Sequence, residues 1–87
     1  MREVIQEPEV SQAIDNAAKE FPRINDAIAG LEWRLGHSPT DGVARATPYF
    51  VFRQSGFPDL NIPDITVLYR YEGEAITIFR IKIQKSQ

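Results

Sequence analysis

The stretch that most constrains the fold is Ile65–Ile83, ITVLYRYEGEAITIFRIKI, in which two runs of apolar and β-branched residues flank a Glu-Gly-Glu tip. This pattern is typical of two antiparallel strands joined by a tight turn. If residues 71–73 form a three-residue loop with Gly73 in the left-handed conformation, Arg70 lies opposite Glu74. The sequence therefore predicts a β-hairpin in which residues of like parity share a face.

The two faces of this hairpin differ in polarity. The odd-numbered face is almost wholly apolar and consists of Ile65, Val67, Tyr69, Ala75, Thr77, Phe79, Ile81 and Ile83. The even-numbered face is mixed and partly basic and consists of Thr66, Leu68, Arg70, Glu74, Ile76, Ile78, Arg80 and Lys82. Burial of each large apolar side chain contributes about 1.5–3 kcal/mol, so a register that exposes the odd set is disfavoured. A two-residue loop would instead mix Tyr69 with Ile78 and Arg80 on one face.

Two amphipathic helices are predicted before the hairpin. Pro8 suits the first position of the first helix, and Pro22 is expected to end it. Its apolar stripe consists of Val10, Ala13, Ile14, Ala17 and Phe21. The second stripe consists of Ile24, Ala27, Ile28, Leu31 and Leu35, with Gly36 where a left-handed cap is expected. The short connection predicts an antiparallel helical hairpin.

The remaining segments predict two further strands and their connections. Residues 2–6 form a short first strand, and Tyr49–Arg53 form another. Residues 54–64 read as a long connection, because their two prolines argue against a central strand. The prediction is one α+β domain, residues 1–87, with the helical hairpin on one face of a small twisted antiparallel sheet. The odd face of the terminal hairpin should meet the helices, which leaves Arg70, Arg80 and Lys82 on the working surface.

Composition limits the chemistry available to the chain. There is no cysteine and one histidine, His37, so disulfides, thiolate zinc sites and multi-histidine metal sites within one chain are excluded. We expect no metal and no cofactor. No run approaches the roughly 18 apolar residues of a membrane span, so the prediction is a cytoplasmic protein without membrane contact. Asp41, Asp59 and Asp64 lie in predicted loops, where aspartate ordinarily bonds to nearby backbone N–H groups.

Charge argues against a general nucleic-acid binder. The net charge is −2, and residues 1–66 hold six Lys and Arg against ten Asp and Glu. Residues 67–87 hold four against two, so the positive end is short. Arg70, Arg80 and Lys82 are candidates for an anion or phosphate site. The alternative is a solvated strand face on which Arg70 pairs with Glu74.

Trp33 is the second candidate for partner binding. It falls about 180° from the apolar stripe of its helix, beside Ala29 and Gly30. Tryptophan is enriched among interface anchors, so Trp33 and Ala29 are candidates for a ridge that docks a partner or a second copy of the chain. Alternatively, Trp33 packs under the N-terminal strand or the loop at residues 40–49.

The order of elements, a short strand, a helical hairpin and then an antiparallel sheet, resembles the RelE/ParE toxin superfamily of bacterial toxin–antitoxin systems. The segment LGHSPTDG is similar to that family's pattern after the second helix, matched by Leu35, Pro39 and Gly42. The hairpin is similar to the family's tyrosine-containing strand, acidic turn and apolar strand ending in basic residues. The resemblance implies a toxin whose partners are an antitoxin and a cellular target, such as the ribosome with its mRNA or DNA gyrase.

The departures from the family bear on activity. Its ribonucleases use clustered Lys and Arg with a Tyr, His or Glu, whereas this chain has Thr66 in place of an arginine, and Phe50 and Phe52 in place of lysines. The remaining catalytic candidates are Arg70, Arg80, Lys82 and Tyr71; Tyr69 is assigned to the core.

Three functions therefore stay open. The preferred prediction is a toxin-like component that acts by protein binding. The alternatives are a ribosome-dependent mRNA endoribonuclease and a non-toxic interaction module, and a homodimer is compatible with each of them.

Overall fold

The structure, a computed structural model, describes residues 2–87. The elements are β1 (Glu3–Gln6), α1 (Pro8–Ala17), α2 (Ile24–His37), β2 (Val43–Ala46), β3 (Tyr49–Gln54), a 3₁₀ turn (Pro58–Leu60), β4 (Asp64–Glu72) and β5 (Ala75–Gln84). The strands form one sheet in the order β1-β5-β4-β3-β2. Strands β2, β3, β4 and β5 are each antiparallel to their neighbours in this series, and β1 runs parallel to β5. The predicted α+β class is confirmed, and the predicted antiparallel sheet is corrected to a mixed one.

The edge strand β1 explains this correction, and the other edge strand, β2, was not predicted. β1 lies beside the last strand of the chain, and the sequence of residues 2–6 carries no signal for which strand it will join. The sequence pattern also does not predict β2, because Val43–Ala46 is exposed along its whole length and lacks apolar alternation. Edge strands of this kind are short and only weakly encoded by polarity.

Both helices form close to their predicted positions but end differently. Pro8 occupies the start of α1, as predicted, but α1 ends at Ala17, and Phe21 is buried in the turn that follows. Gly36 is buried within the last turn of α2 and does not form a left-handed cap. Its carbonyl accepts the N–H of Arg2 at 3.1 Å. This backbone bond ties the end of α2 to the residue that precedes β1.

One hydrophobic core lies between the two helices and one face of the sheet. The helices contribute Val10, Ile14, Ile24, Ile28, Leu31 and Leu35, and the turn between them contributes Phe21. The sheet contributes Phe52, Ile65, Val67, Tyr69, Ile76 and Ile78, with Phe50, Ile81 and Ile83 packed at the margin. The prediction that the apolar face of the hairpin meets the helices is therefore confirmed for β4.

The register of the β4–β5 hairpin differs from the predicted one. Glu72 pairs with Ala75, so the turn has two residues, Gly73 and Glu74, and Gly73 has a φ of 61°. Tyr69 consequently pairs with Ile78, and a bulge then shifts the register so that Leu68 pairs with Arg80.

With a two-residue turn alone, the isoleucine side chains of β5 would be divided between the two faces of the sheet. The bulge brings them to the core side along the whole strand. On β5 the core side chains are Ile76 and Ile78 before the bulge, and Ile81 and Ile83 after it. Thr77 and Phe79 lie on the opposite face, so their predicted burial under the helices is wrong. An extra residue in one strand reverses the parity of every residue beyond it.

Tyr69 ties the loop after α2 to the sheet. Its hydroxyl donates to the carbonyl of Pro39 at 2.7 Å and accepts the N–H of Gly42 at 3.2 Å. The ring is fully buried and stacks on Phe50, with ring centroids 5.5 Å apart. Burial raises the pKa of Tyr69 above its ordinary value.

Asp64 fixes the connection between β3 and β4. Its Oδ1 accepts the N–H of Gly56 at 2.7 Å, and its Oδ2 pairs with Arg53 at 3.0 Å. The bond from Gly56 is the main reason that the pKa of Asp64 lies below its usual value, with Arg53 contributing less. This is the backbone-bonding role predicted for the loop aspartates. Asp41 instead pairs with the side chain of Arg34 at 3.5 Å.

Candidate functional site

The face of the sheet turned away from the helices is the candidate functional site, and we call it the open sheet face. Its central side chains come from β3, β4 and β5 and are Tyr49, Val51, Leu68, Arg70, Phe79, Arg80 and Lys82. Both helices pack on the other face, so within residues 2–87 no helix covers this one. Arg70, Arg80 and Lys82 are all exposed, in agreement with their predicted position.

One end of the open sheet face is a depression of about 180 Å³ around Tyr49 and Arg70. These two residues are directly opposite each other on β3 and β4. Tyr49 also packs edge-to-face on Phe79, with ring centroids 5.6 Å apart and planes at 78°. Glu7 and Thr77 complete the lining. The guanidinium of Arg70 and the carboxylate of Glu7 therefore share this depression with the aromatic pair formed by Tyr49 and Phe79.

The centre of the face is a shallower depression of about 230 Å³. Its lining includes Val51 and Leu68 together with Arg80 and Lys82. Apolar side chains beside cations are typical of a surface that binds another protein, where apolar area is buried and charges orient the partner.

The cations of the face differ in their partners. Arg70 Nε lies 3.4 Å from Glu72 on the same strand, so the predicted cross-strand pair with Glu74 is wrong. The two-residue turn is the reason, because it places Thr77 and not Glu74 opposite Arg70. Among residues 2–87 no carboxylate forms an ion pair with Arg80 or Lys82. These two side chains keep their full donor capacity for a partner.

Tyr71 does not join the predicted cationic cluster. It is half-buried, packs against the core on the helix-covered face, and the guanidinium of Arg2 lies 5.3 Å from its ring centroid. The tyrosine that the fold does bring to the cations is Tyr49, since residues 49, 51 and 53 of β3 face away from the core. Whether Tyr49 lies on the same face as Arg70 depends on how β3 and β4 pair, and the sequence does not indicate that register.

Trp33 is exposed on α2, with 60% of its surface accessible. Its ring stacks on that of His37, with centroids 4.1 Å apart, and the Nδ1–H of His37 donates to the carbonyl of Trp33 at 2.8 Å. The alternative in which Trp33 packs under the N-terminal strand or the following loop is therefore wrong. Ala29 is also exposed, so both members of the predicted docking ridge reach the surface, and its use by a partner stays a prediction.

Comparison with protein-family models, with curated proteins and with solved structures finds no significant match to the chain. Within the part of the chain that the structure describes, no helix is long and apolar enough to cross a membrane. Over the same residues no three acidic or histidine side chains converge in a way that would hold a metal ion.

Proposed function

We propose that this chain is the toxin-like component of a bacterial toxin–antitoxin pair, with a RelE/ParE-like architecture, and that it acts by binding other proteins. The resemblance rests on Leu35, Pro39, Gly42 and the tyrosine of the penultimate strand. In the folded chain three of these meet, because the Tyr69 hydroxyl bonds to both Pro39 and Gly42. The two motifs on which the resemblance rests, the loop after α2 and the tyrosine of β4, are thus in direct contact in the folded chain. This contact supports the family proposal.

The observation that carries the binding proposal is the composition of the open sheet face. Arg80 and Lys82 lie beside the partly exposed apolar side chains of Val51 and Leu68, while Tyr69 is buried with its hydroxyl committed to the backbone. RNA cleavage by the 2′-hydroxyl needs a base, a proton donor and cations around the phosphate. The central depression offers cations and apolar area, which suit an antitoxin or a target protein.

A second candidate function, mRNA endoribonuclease, is favoured by one specific observation. Tyr49, Arg70 and Glu7 line the same depression of about 180 Å³. A carboxylate and a phenol are groups able to move protons, and a guanidinium stabilises a charged phosphate. In this alternative Tyr49 takes the place expected for Tyr71.

Induced expression in bacteria tests the proposal. We expect growth arrest with intact transcripts, and we expect Arg80→Ala combined with Lys82→Ala to abolish the arrest because both free cations of the face are lost. Lys19→Ala removes an exposed cation from the turn after α1, outside the open sheet face, and should leave the arrest unchanged. Transcript integrity is measured by primer extension, and DNA damage is scored in parallel to detect a gyrase-type target.

Each contradictory outcome identifies one alternative. Arrest with cleaved mRNA that depends on Tyr49, as judged by Tyr49→Phe, would establish the endoribonuclease. Folded protein that accumulates without any effect on growth would reject the toxin proposal and leave the non-toxic interaction module.

A further inference from the structure

A second concave surface lies beside α2 and is distinct from the two depressions of the open sheet face. This groove, of about 650 Å³, runs between one side of α2 and the end of β3 with the connection that follows it. Its lining includes Arg23, Gly30, Arg34, Arg53 and Phe57, and none of the central side chains of the open sheet face named above contributes to it.

Among residues 2–87 the lining of the groove holds three arginines, Arg23, Arg34 and Arg53, against one carboxylate, Asp26, in a chain of net charge −2. Arg34 and Arg53 each contact one carboxylate, at 3.5 Å and 3.0 Å, yet their side chains are 58% and 59% exposed. A guanidinium has five N–H donors, so these surface pairs leave donors free for a second carboxylate.

The groove also has an apolar anchor point. Phe57 is 61% exposed at its margin, and Ile62 pairs with it through the backbone. An exposed phenylalanine at the end of a cationic groove suits a partner that presents one large apolar side chain together with acidic residues.

Gly30 opens one wall of the groove. It lies in the middle of α2, is exposed, and a Cβ added there meets nothing within 4 Å. Glycine in a helix interior costs about 1 kcal/mol relative to alanine. Within residues 2–87 no contact requires glycine at this position, and the missing side chain leaves room for the backbone of another molecule to come close to the helix.

We infer that this groove binds an acidic segment of a partner protein. Carboxylates of the segment contact Arg23, Arg34 and Arg53, and an apolar side chain of the segment packs on Phe57, with the segment backbone passing over Gly30. The charge of the lining selects the occupant, because a neutral or basic segment leaves three arginines without a new partner. The inference concerns a surface other than the two depressions of the open sheet face and holds whether or not the chain is toxic.

Selection of phage-displayed random peptides of about 12 residues on the folded full chain tests the inference. We expect the selected peptides to be enriched in Asp and Glu together with a large apolar residue, and to compete with one another. Gly30→Leu, which fills the groove from a position with free space, should weaken their binding about tenfold or more. Gln12→Leu adds the same side chain on exposed α1 and should leave binding unchanged.

Charge provides an independent pair of variants. Arg23→Glu should weaken binding by a similar factor and reduce its dependence on salt, whereas Lys19→Glu makes the same charge change outside the groove and should not. Circular dichroism of each variant verifies that it is folded, and Gly30→Leu is expected to fold because a better helix former replaces glycine.

The inference is overturned if no acidic peptides are selected, or if those selected bind Gly30→Leu and Arg23→Glu as tightly as the native chain. Two other occupants give distinct results. Dimerisation in light scattering that Gly30→Leu abolishes would assign the groove to a second copy, and binding of single-stranded oligonucleotides that Arg23→Glu abolishes would assign it to nucleic acid.

Discussion

Gly56→Ala is expected to lower the free energy of unfolding by about 3 kcal/mol or more, at or beyond the upper end of ordinary overpacking effects. A Cβ at position 56 would overlap the carbonyl oxygens of Ile62 and Pro63, which are backbone atoms with no freedom to rotate away. The same residue donates its N–H to Asp64 at 2.7 Å, so a shift of the backbone also weakens that bond. Urea denaturation followed by circular dichroism measures the change.

Gly30→Ala is the matched control for Gly56→Ala, because both substitutions add one methyl group to a glycine. A Cβ at position 30 meets nothing within 4 Å, and the residue lies in the middle of α2. Its replacement should stabilise the protein by up to about 1 kcal/mol, because alanine is the better helix former. Equal effects of the two substitutions would contradict the described path of the chain at residues 56–63.

Tyr69→Phe is expected to destabilise the protein by about 1–3 kcal/mol, although only one oxygen is removed. The lost hydroxyl leaves the carbonyl of Pro39 and the N–H of Gly42 without their partner at a buried site. Tyr49→Phe serves as the control, because among residues 2–87 the Tyr49 hydroxyl makes no hydrogen bond and the ring is exposed. Its effect on stability should be small.

The pH dependence of stability provides a second measure of the same contact. Burial raises the pKa of Tyr69 in the folded state, so its stabilising contribution is complete below the unfolded pKa near 10. That contribution is lost as the pH rises through the raised folded value. Native protein should therefore lose stability above pH 10 more steeply than Tyr69→Phe. Parallel profiles for the two proteins would show that the hydroxyl titrates in the same way in both states.

The fold class and most elements could be predicted from the sequence, because they depend on local polarity. The apolar stripes of α1 and α2, the position of Pro8 and the alternation of β4 each encode which side of an element is buried. Strand β2 and the parallel pairing of β1 could not be predicted, because they depend on contacts between segments that are far apart in the chain.

The register of the hairpin shows the limit of polarity arguments most clearly. Counting parity from a three-residue loop places Phe79 in the core and Ile78 outside it, and the structure reverses both. The correct register requires both a two-residue turn and a bulge between Ile78 and Arg80. The sequence pattern does not indicate either feature by itself. Arg80 and Lys82 nevertheless reach the predicted face, because the two errors cancel beyond the bulge.

The candidate site was predictable in its cations but not in its aromatic residues. Arg70, Arg80 and Lys82 are on the open sheet face as expected, whereas Tyr49 and Phe79 join them through the β3–β4 pairing and the bulge. Tyr71, chosen because it was expected at the end of its strand in a three-residue loop, faces the core instead. The two-residue turn keeps Tyr71 within β4, so the alternation of side chains along the strand places it on the face opposite Arg70.

The central claim is that Thr77, Arg80 and Lys82 share the open sheet face while Ile78 is sealed in the core, and thiol labelling of single-cysteine variants tests it most directly. The chain contains no cysteine, so each variant has one reactive group. Under native conditions we expect Thr77→Cys and Arg80→Cys to react on the order of a hundredfold faster than Ile78→Cys and Val67→Cys. Rapid labelling of Ile78→Cys together with protection of Thr77→Cys would contradict the register, the bulge and the proposed binding face.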